Sequence, residues 1–173
     1  MQSSLIRKLA AGIVFLAAGA IAPAAIAAQQ SATILQPAAL QKLVPATVFY
    51  RGQTATTQLR NAAGIRFADG YMVLASLVDT GGYSDGIIEK YQAIFIVEVP
   101  IEIEGQKLAP GVYGIGFLSG DKFLVSDVGG HNLLTVASAT DEHLEHPRPL
   151  EITPDPGHGF RLYAGRRYVV LSR

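Results

Sequence analysis

The chain contains no cysteine and no tryptophan, and each absence removes a class of structure. Without cysteine there is no disulfide, no thiol nucleophile and no thiolate metal ligand, so a folded domain must be held by core packing alone. Charge is scarce, with fourteen basic residues against fourteen acidic ones in 173. No basic run of the kind that tracks a phosphate backbone occurs, Arg166-Arg167 being only a pair, so nucleic acid is not an expected partner. A membrane-length apolar run is lacking too. The uncharged stretch Leu9 to Ala22 falls short of the roughly 20 residues of a spanning helix.

What stands in its place has the layout of a secretory signal. Arg7 and Lys8 precede the apolar run, and Ala25-Ile26-Ala27 supplies small residues at a cleavage distance. Residues 1–28 therefore read as a signal peptide cleaved near Ala27 or Ala28, and the protein as secreted or periplasmic. No cysteine follows the run, which excludes a lipid anchor on a mature N-terminal cysteine. Residues 29–45 read as a leader with a short helix, since Pro37 suits a first helical turn and Pro45 ends one. Residues 46–173 are expected to form one domain, a length that buries enough surface to be stable without staples.

From Thr47 onward β signals dominate. Val48 to Tyr50 and Thr54 to Arg60 read as strands, with Asn61 to Gly64 as a turn, and Asp69-Gly70 marks another turn. Tyr71 to Val78 is an almost unbroken apolar run, suited to a strand buried on both faces. Ser84-Asp85 is placed to cap a short helix through Tyr91. Phe95, Val97, Val99, Ile101 and Ile103 then alternate with Glu98, Pro100, Glu102 and Glu104, a strict period of two with one face in the core. Pro100 cannot donate to a ladder, so this strand should lie at an edge or bend there. Pro110-Gly111 suits a type II turn. Further short strands follow at Tyr113 to Phe117, Phe123 to Val125, Leu133 to Val136, Phe160 to Tyr163 and Tyr168 to Leu171. Close strand spacing with few helices predicts an all-β, mainly antiparallel fold: a single-domain sandwich or partly closed barrel with one or two short helices.

Several residue sets could carry chemistry. His143, His146 and His158, with Glu142 and Glu145 nearby, have metal-ligand character. They lie in polar, proline-punctuated loops where an i, i+3 pair is not held on a helix, so no metal and no cofactor are expected. Of seven tyrosines, Tyr113, Tyr163 and Tyr168 could line a concave ligand face with Arg161, Arg166 and Arg167. Tyrosines of this kind also end strands with the ring inside and the hydroxyl in water. No Gly-x-Ser-x-Gly elbow occurs, which argues against serine-hydrolase chemistry.

Leu77-Val78-Asp79-Thr80-Gly81 resembles the active-site motif of the pepsin and retropepsin families, and Gly129-Gly-His-Asn-Leu-Leu-Thr135 is similar to the segment that closes a retropepsin core. The resemblance implies a dimeric aspartic protease in which Asp79 of each subunit shares one proton. Gly82 stands where that family has Ala or Ser, Asp127 interrupts the expected apolar pair, and no flap hairpin is evident. The plainer reading makes Asp79 a turn residue that bonds its own backbone. A second resemblance covers residues 99–125, where Val99 to Phe117 looks like a hairpin of secreted bacterial β-domains of unknown function. It implies architecture and no catalytic residues. The expected function is therefore an exported, non-enzymatic β-domain that binds a small ligand, an envelope component or a protein, with the dimeric protease as the alternative.

Overall fold

The structure, a computed structural model, describes residues 32–157 and 159–173; residues 1–31, the expected signal and early leader, lie outside them, as does His158. Among the described residues, fourteen strands and two helices follow one another. They are β1 (Thr33–Ile34), α1 (Pro37–Leu43), β2 (Thr47–Tyr50), β3 (Gln53–Arg66), β4 (Met72–Val78), α2 (Asp85–Lys90) and β5 (Ala93–Val97). Next come β6 (Ile101–Ile103), β7 (Gln106–Leu108), β8 (Gly111–Leu118), β9 (Lys122–Ser126) and β10 (Asn132–Ala137). The chain finishes with β11 (Ala139–Thr140), β12 (Arg148–Pro154), β13 (Phe160–Gly165) and β14 (Arg167–Ser172).

These strands make two antiparallel sheets rather than a closed barrel. The eight-stranded sheet runs β1-β3-β4-β5-β8-β9-β10, with β2 also paired to β3. The six-stranded sheet runs β12-β13-β14-β6-β7, with β11 also paired to β14. One apolar core lies between them. Ile65, Val73, Phe95, Ile115, Phe123 and Val125 from the first sheet meet Ile103, Leu150, Ile152, Leu162, Val169 and Leu171 from the second. Alternation puts every second side chain on the core face, as in a two-sheet sandwich.

The period-two segment keeps its alternation but changes sheets. Phe95 and Val97 belong to β5, in the middle of the first sheet, while Ile101 and Ile103 belong to β6 in the second. All five apolar positions from Phe95 to Ile103 are buried. Pro100 lies at the crossing, where no ladder needs its missing N–H. The polar side is partnered as well: Glu98 accepts the Met72 N–H at 2.7 Å and Glu104 accepts that of Val170 at 2.6 Å.

Three local expectations are corrected. Asn61 to Gly64 is no turn, because β3 runs straight through it with a register irregularity between Thr57 and Ala62. Gly64 is small for another reason: a Cβ there would meet Leu74 Cδ2 at 2.8 Å and Leu40 Cδ2 at 3.0 Å, so its bareness lets α1 close onto the sheet. Gly111 is not a type II turn residue. It lacks the positive φ such a turn needs and opens β8 instead, with the Tyr113 ring lying over its Cα. Residues 99–117 are not one hairpin. Glu104 (φ 48°) and Gly105 (φ 75°) close a tight primed turn between β6 and β7, after which the chain returns to the first sheet as β8. Strand β12, absent from the sequence reading, completes the second sheet.

Candidate functional site

An apolar concavity opens at one end of the sandwich. It has a volume of about 450 Å3 and is lined by Ile65, Phe67, Val73, Ile101, Phe160 and Leu171, with Ala32, Ala68, Gly159 and Ser172 around them. Its floor is continuous with the core, since Ile65 and Val73 are wholly buried. Its lining comes from the ends of β3, β6 and β14 and from the Asp69-Gly70 turn between β3 and β4, which the Phe67 and Tyr71 main chains close.

Two charged side chains sit at its mouth. Arg173 Nη2 donates to Asp69 Oδ2 at 2.6 Å, and the guanidinium lies 4.9 Å from the centre of the Phe67 ring. The Arg173 side chain is 35% exposed and that of Asp69 42%, so the pair is open to exchange with a solute. The guanidinium holds the Asp69 carboxyl below the usual carboxylate range, so the pair stays ionised at neutral pH. Only Nη2 of Arg173 is engaged among the described residues, leaving donors that a second anion could use. A shallower depression of about 340 Å3 adjoins, sharing Ile101, Ser172 and Arg173 and adding Glu102 and Lys107.

The tyrosine and arginine residues expected on a ligand face fall into three places. Arg161, Tyr163, Arg166 and Tyr168 come together on the outer side of the second sheet. Arg161 Nε donates to Asp155 Oδ1 at 2.6 Å, its Nη1 donates to Tyr163 Oη at 3.3 Å, and the Tyr163 hydroxyl donates to Asp141 Oδ2 at 3.1 Å. The Arg161 guanidinium lies 4.5 Å from the Tyr168 ring centre. Arg166 Nη1 caps the Glu142 carbonyl at 3.0 Å. Burial of the Tyr163 phenol raises its pKa. These bonds make an internally satisfied cluster, which ties the 141–147 loop and the β12–β13 connection to the sheet. Tyr113 lies elsewhere, buried in the main core with its hydroxyl donated to the Ala109 carbonyl at 2.8 Å. Arg167 also points away from the cluster, donating to the Leu118 carbonyl at 3.0 Å.

Asp79 lies just beyond β4, exposed. Its Oδ1 accepts the Gly81 N–H at 3.1 Å, and its own N–H donates to the Thr56 carbonyl at 2.8 Å. The Thr80 carbonyl accepts the Tyr83 N–H at 3.0 Å. This is an Asx turn closing a strand. Asp127 organises the β9–β10 turn in a similar way. Hydrogen bonds from the His131 backbone and ring, at 2.9 Å each, hold its carboxyl below the usual range. His143 and His146 line an open polar depression with Asp141, Glu145 and Glu151. Among the described residues no group of three or more such side chains has the geometry to hold a metal.

Asp69, Arg173, Phe67 and Phe160 of the end cavity did not stand out in the sequence. Asp69 read only as a turn former, and its partner lies 104 positions away; no local pattern links the two. The fold and its concavity define a two-sheet antiparallel β-domain with an apolar end cavity gated by one ion pair. No family model matches this chain, and no curated protein or solved structure does.

Proposed function

We propose that this chain is an exported, non-enzymatic β-domain that binds a small, mostly apolar molecule with an anionic end in the cavity between its sheets. The carrying observation is the conjunction at the sandwich end of an apolar pocket of about 450 Å3 and an exchangeable arginine at its mouth. That volume lies within the roughly 300–1,000 Å3 of small-molecule sites, which are mostly apolar with a few placed polar groups. An aliphatic chain would lie against Phe67, Phe160, Ile101 and Leu171. Its carboxylate would take Arg173 donors that Asp69 leaves open, a charge-assisted contact of the kind arginine makes best.

The test is titration with a dansyl-labelled medium-chain fatty acid. The reading expects saturable one-to-one binding that Ala68→Trp, an exposed position at the cavity mouth, weakens about tenfold or more. Arg173→Gln should weaken the acid more than the corresponding alcohol. Absence of saturable binding, or equal binding by Ala68→Trp, overturns it.

A further inference from the structure

We propose that β10 is the surface through which two copies of this chain associate, pairing edge to edge across a two-fold axis. β10 is the last strand of the eight-stranded sheet, and β9 is its only strand partner among the described residues. The Ser138 N–H donates to the Asp121 carbonyl at 2.8 Å, and the register sets Val136 opposite Phe123 and Leu134 opposite Val125. Bonded and outward-facing residues alternate in an antiparallel ladder, so the main-chain groups of Thr135 and Ala137 point away from β9. Both residues are exposed.

Soluble proteins ordinarily blunt such an edge with lysine, proline, an inward charge or a covering loop. Residues 132 to 140 contain no charge and no proline. The one irregularity, a bulge at Leu133, sits at the start of the strand and leaves residues 134 to 137 in regular register.

Self-complementarity selects a second copy as the occupant. A two-fold centred on Thr135 sets Leu134 of each copy opposite Val136 of the other, both on the core face. These two side chains pack on the core but are only partly buried, as expected where a sheet stops one strand early. The pairing would cover them. On the opposite face the two Thr135 side chains meet, a favourable cross-strand pair. The Thr135 N–H of each copy donates to the Thr135 carbonyl of the other, closing the ladder. With no charge in the segment, identical strands bring no like charges together, and the isologous contact closes at two copies.

Sedimentation equilibrium of the purified protein tests this. The native chain should be a dimer, and Thr135→Lys, which places two cations face to face, should raise the dissociation constant roughly tenfold or more with an unchanged circular dichroism spectrum. Because the chain lacks cysteine, Thr135→Cys carries a single thiol. It should oxidise to a disulfide-linked dimer, whereas Thr54→Cys, on exposed β3, should not. A native monomer, a dimer indifferent to Thr135→Lys, or equal crosslinking at position 54 overturns the assignment; in the first case the edge awaits an extended segment of another protein.

Discussion

Gly116 lies in β8 beneath the last turn of α2, and replacing it by alanine should loosen that helix from the sheet. A Cβ at Gly116 would run into the Glu89 carbonyl oxygen and meet the Lys90 carbonyl at 3.1 Å. Both obstacles are backbone, so no rotamer change relieves them, and α2 must lift by about 1 Å to restore ordinary contact near 3.4 Å. Tyr91 follows α2 directly, and its ring stacks on Tyr50 at 3.9 Å between centroids and 8° between planes, so lifting the helix disturbs this stack. Overpacking against a fixed neighbour costs about 1–3 kcal/mol. The smaller backbone entropy of alanine in the unfolded chain returns about 0.4–1 kcal/mol. Gly116→Ala should thus destabilise by about 1–2 kcal/mol, lowering the urea midpoint by roughly 0.5–1 M for m near 2 kcal/mol per M. Near-ultraviolet circular dichroism, which here reports tyrosine without tryptophan, should lose intensity from the stack. Gly86→Ala is the matched control: it lies within α2 with nothing within 4 Å of the added carbon. It should raise the midpoint through helix propensity, worth up to about 1 kcal/mol. A Gly116→Ala midpoint at or above the native one would refute the close-approach reasoning.

Arg161→Met should destabilise by about 1–2 kcal/mol, because it removes the guanidinium that bonds Asp155 and the Tyr163 hydroxyl and faces Asp141, where the two carboxylate side chains are only 11% and 22% exposed; urea unfolding measures it, and a neutral result would show the cluster to be dispensable. Tyr91 should resist ionisation in alkaline titration followed at 295 nm. Burial, reinforced by Tyr83 and Tyr50, raises its pKa in the folded protein, while the unfolded phenol ionises near 10. Its contribution is therefore complete below about pH 10 and is lost as pH rises beyond it, so its ionisation should coincide with unfolding. Asp79→Asn should leave the unfolding midpoint within about 0.5 kcal/mol, since an amide oxygen can still accept the Gly81 N–H; a larger loss would mean the carboxylate's charge matters beyond the turn.

Fold class was legible because it rests on local patterns. The alternation from Phe95 to Ile103 named its buried face correctly even though the strand crosses between sheets at Pro100. The turn expected at Asn61 to Gly64 failed because glycine was read as a bend, when the packing of Leu40 and Leu74 over it is what requires the missing Cβ. β12 was missed because Arg148-Pro-Leu-Glu-Ile-Thr-Pro154 carries prolines near both ends, and only its two core-facing residues, Leu150 and Ile152, signal burial. Part of the site was visible as chemistry but not as geometry. Arg161, Tyr163, Arg166 and Tyr168 do gather on one face, yet nothing in the sequence pattern indicates that Asp141 and Asp155 pair with Arg161. The pairing of Asp69 with Arg173 depends on a contact that only the closed sandwich makes.

The same crossing that broke the expected long strand also creates the cavity. Had residues 93 to 103 formed one continuous strand, Ile101 and Ile103 would have extended the first sheet instead of pairing β6 with β14. Ile101 now lines the cavity wall opposite Ile65 and Val73, and β14 runs beside it to carry Arg173 to the rim. The outer cluster around Arg161 borders an open, polar depression rather than an apolar cavity, and its donors already face carboxylates and a phenol of the same chain. A ligand arriving there must displace satisfied partners inside the sheet's own network. At the end cavity it need only share one arginine and cover apolar surface that the sandwich leaves open, which is why the smaller-looking pair at the rim, rather than the tyrosine-rich face, is the better place for recognition.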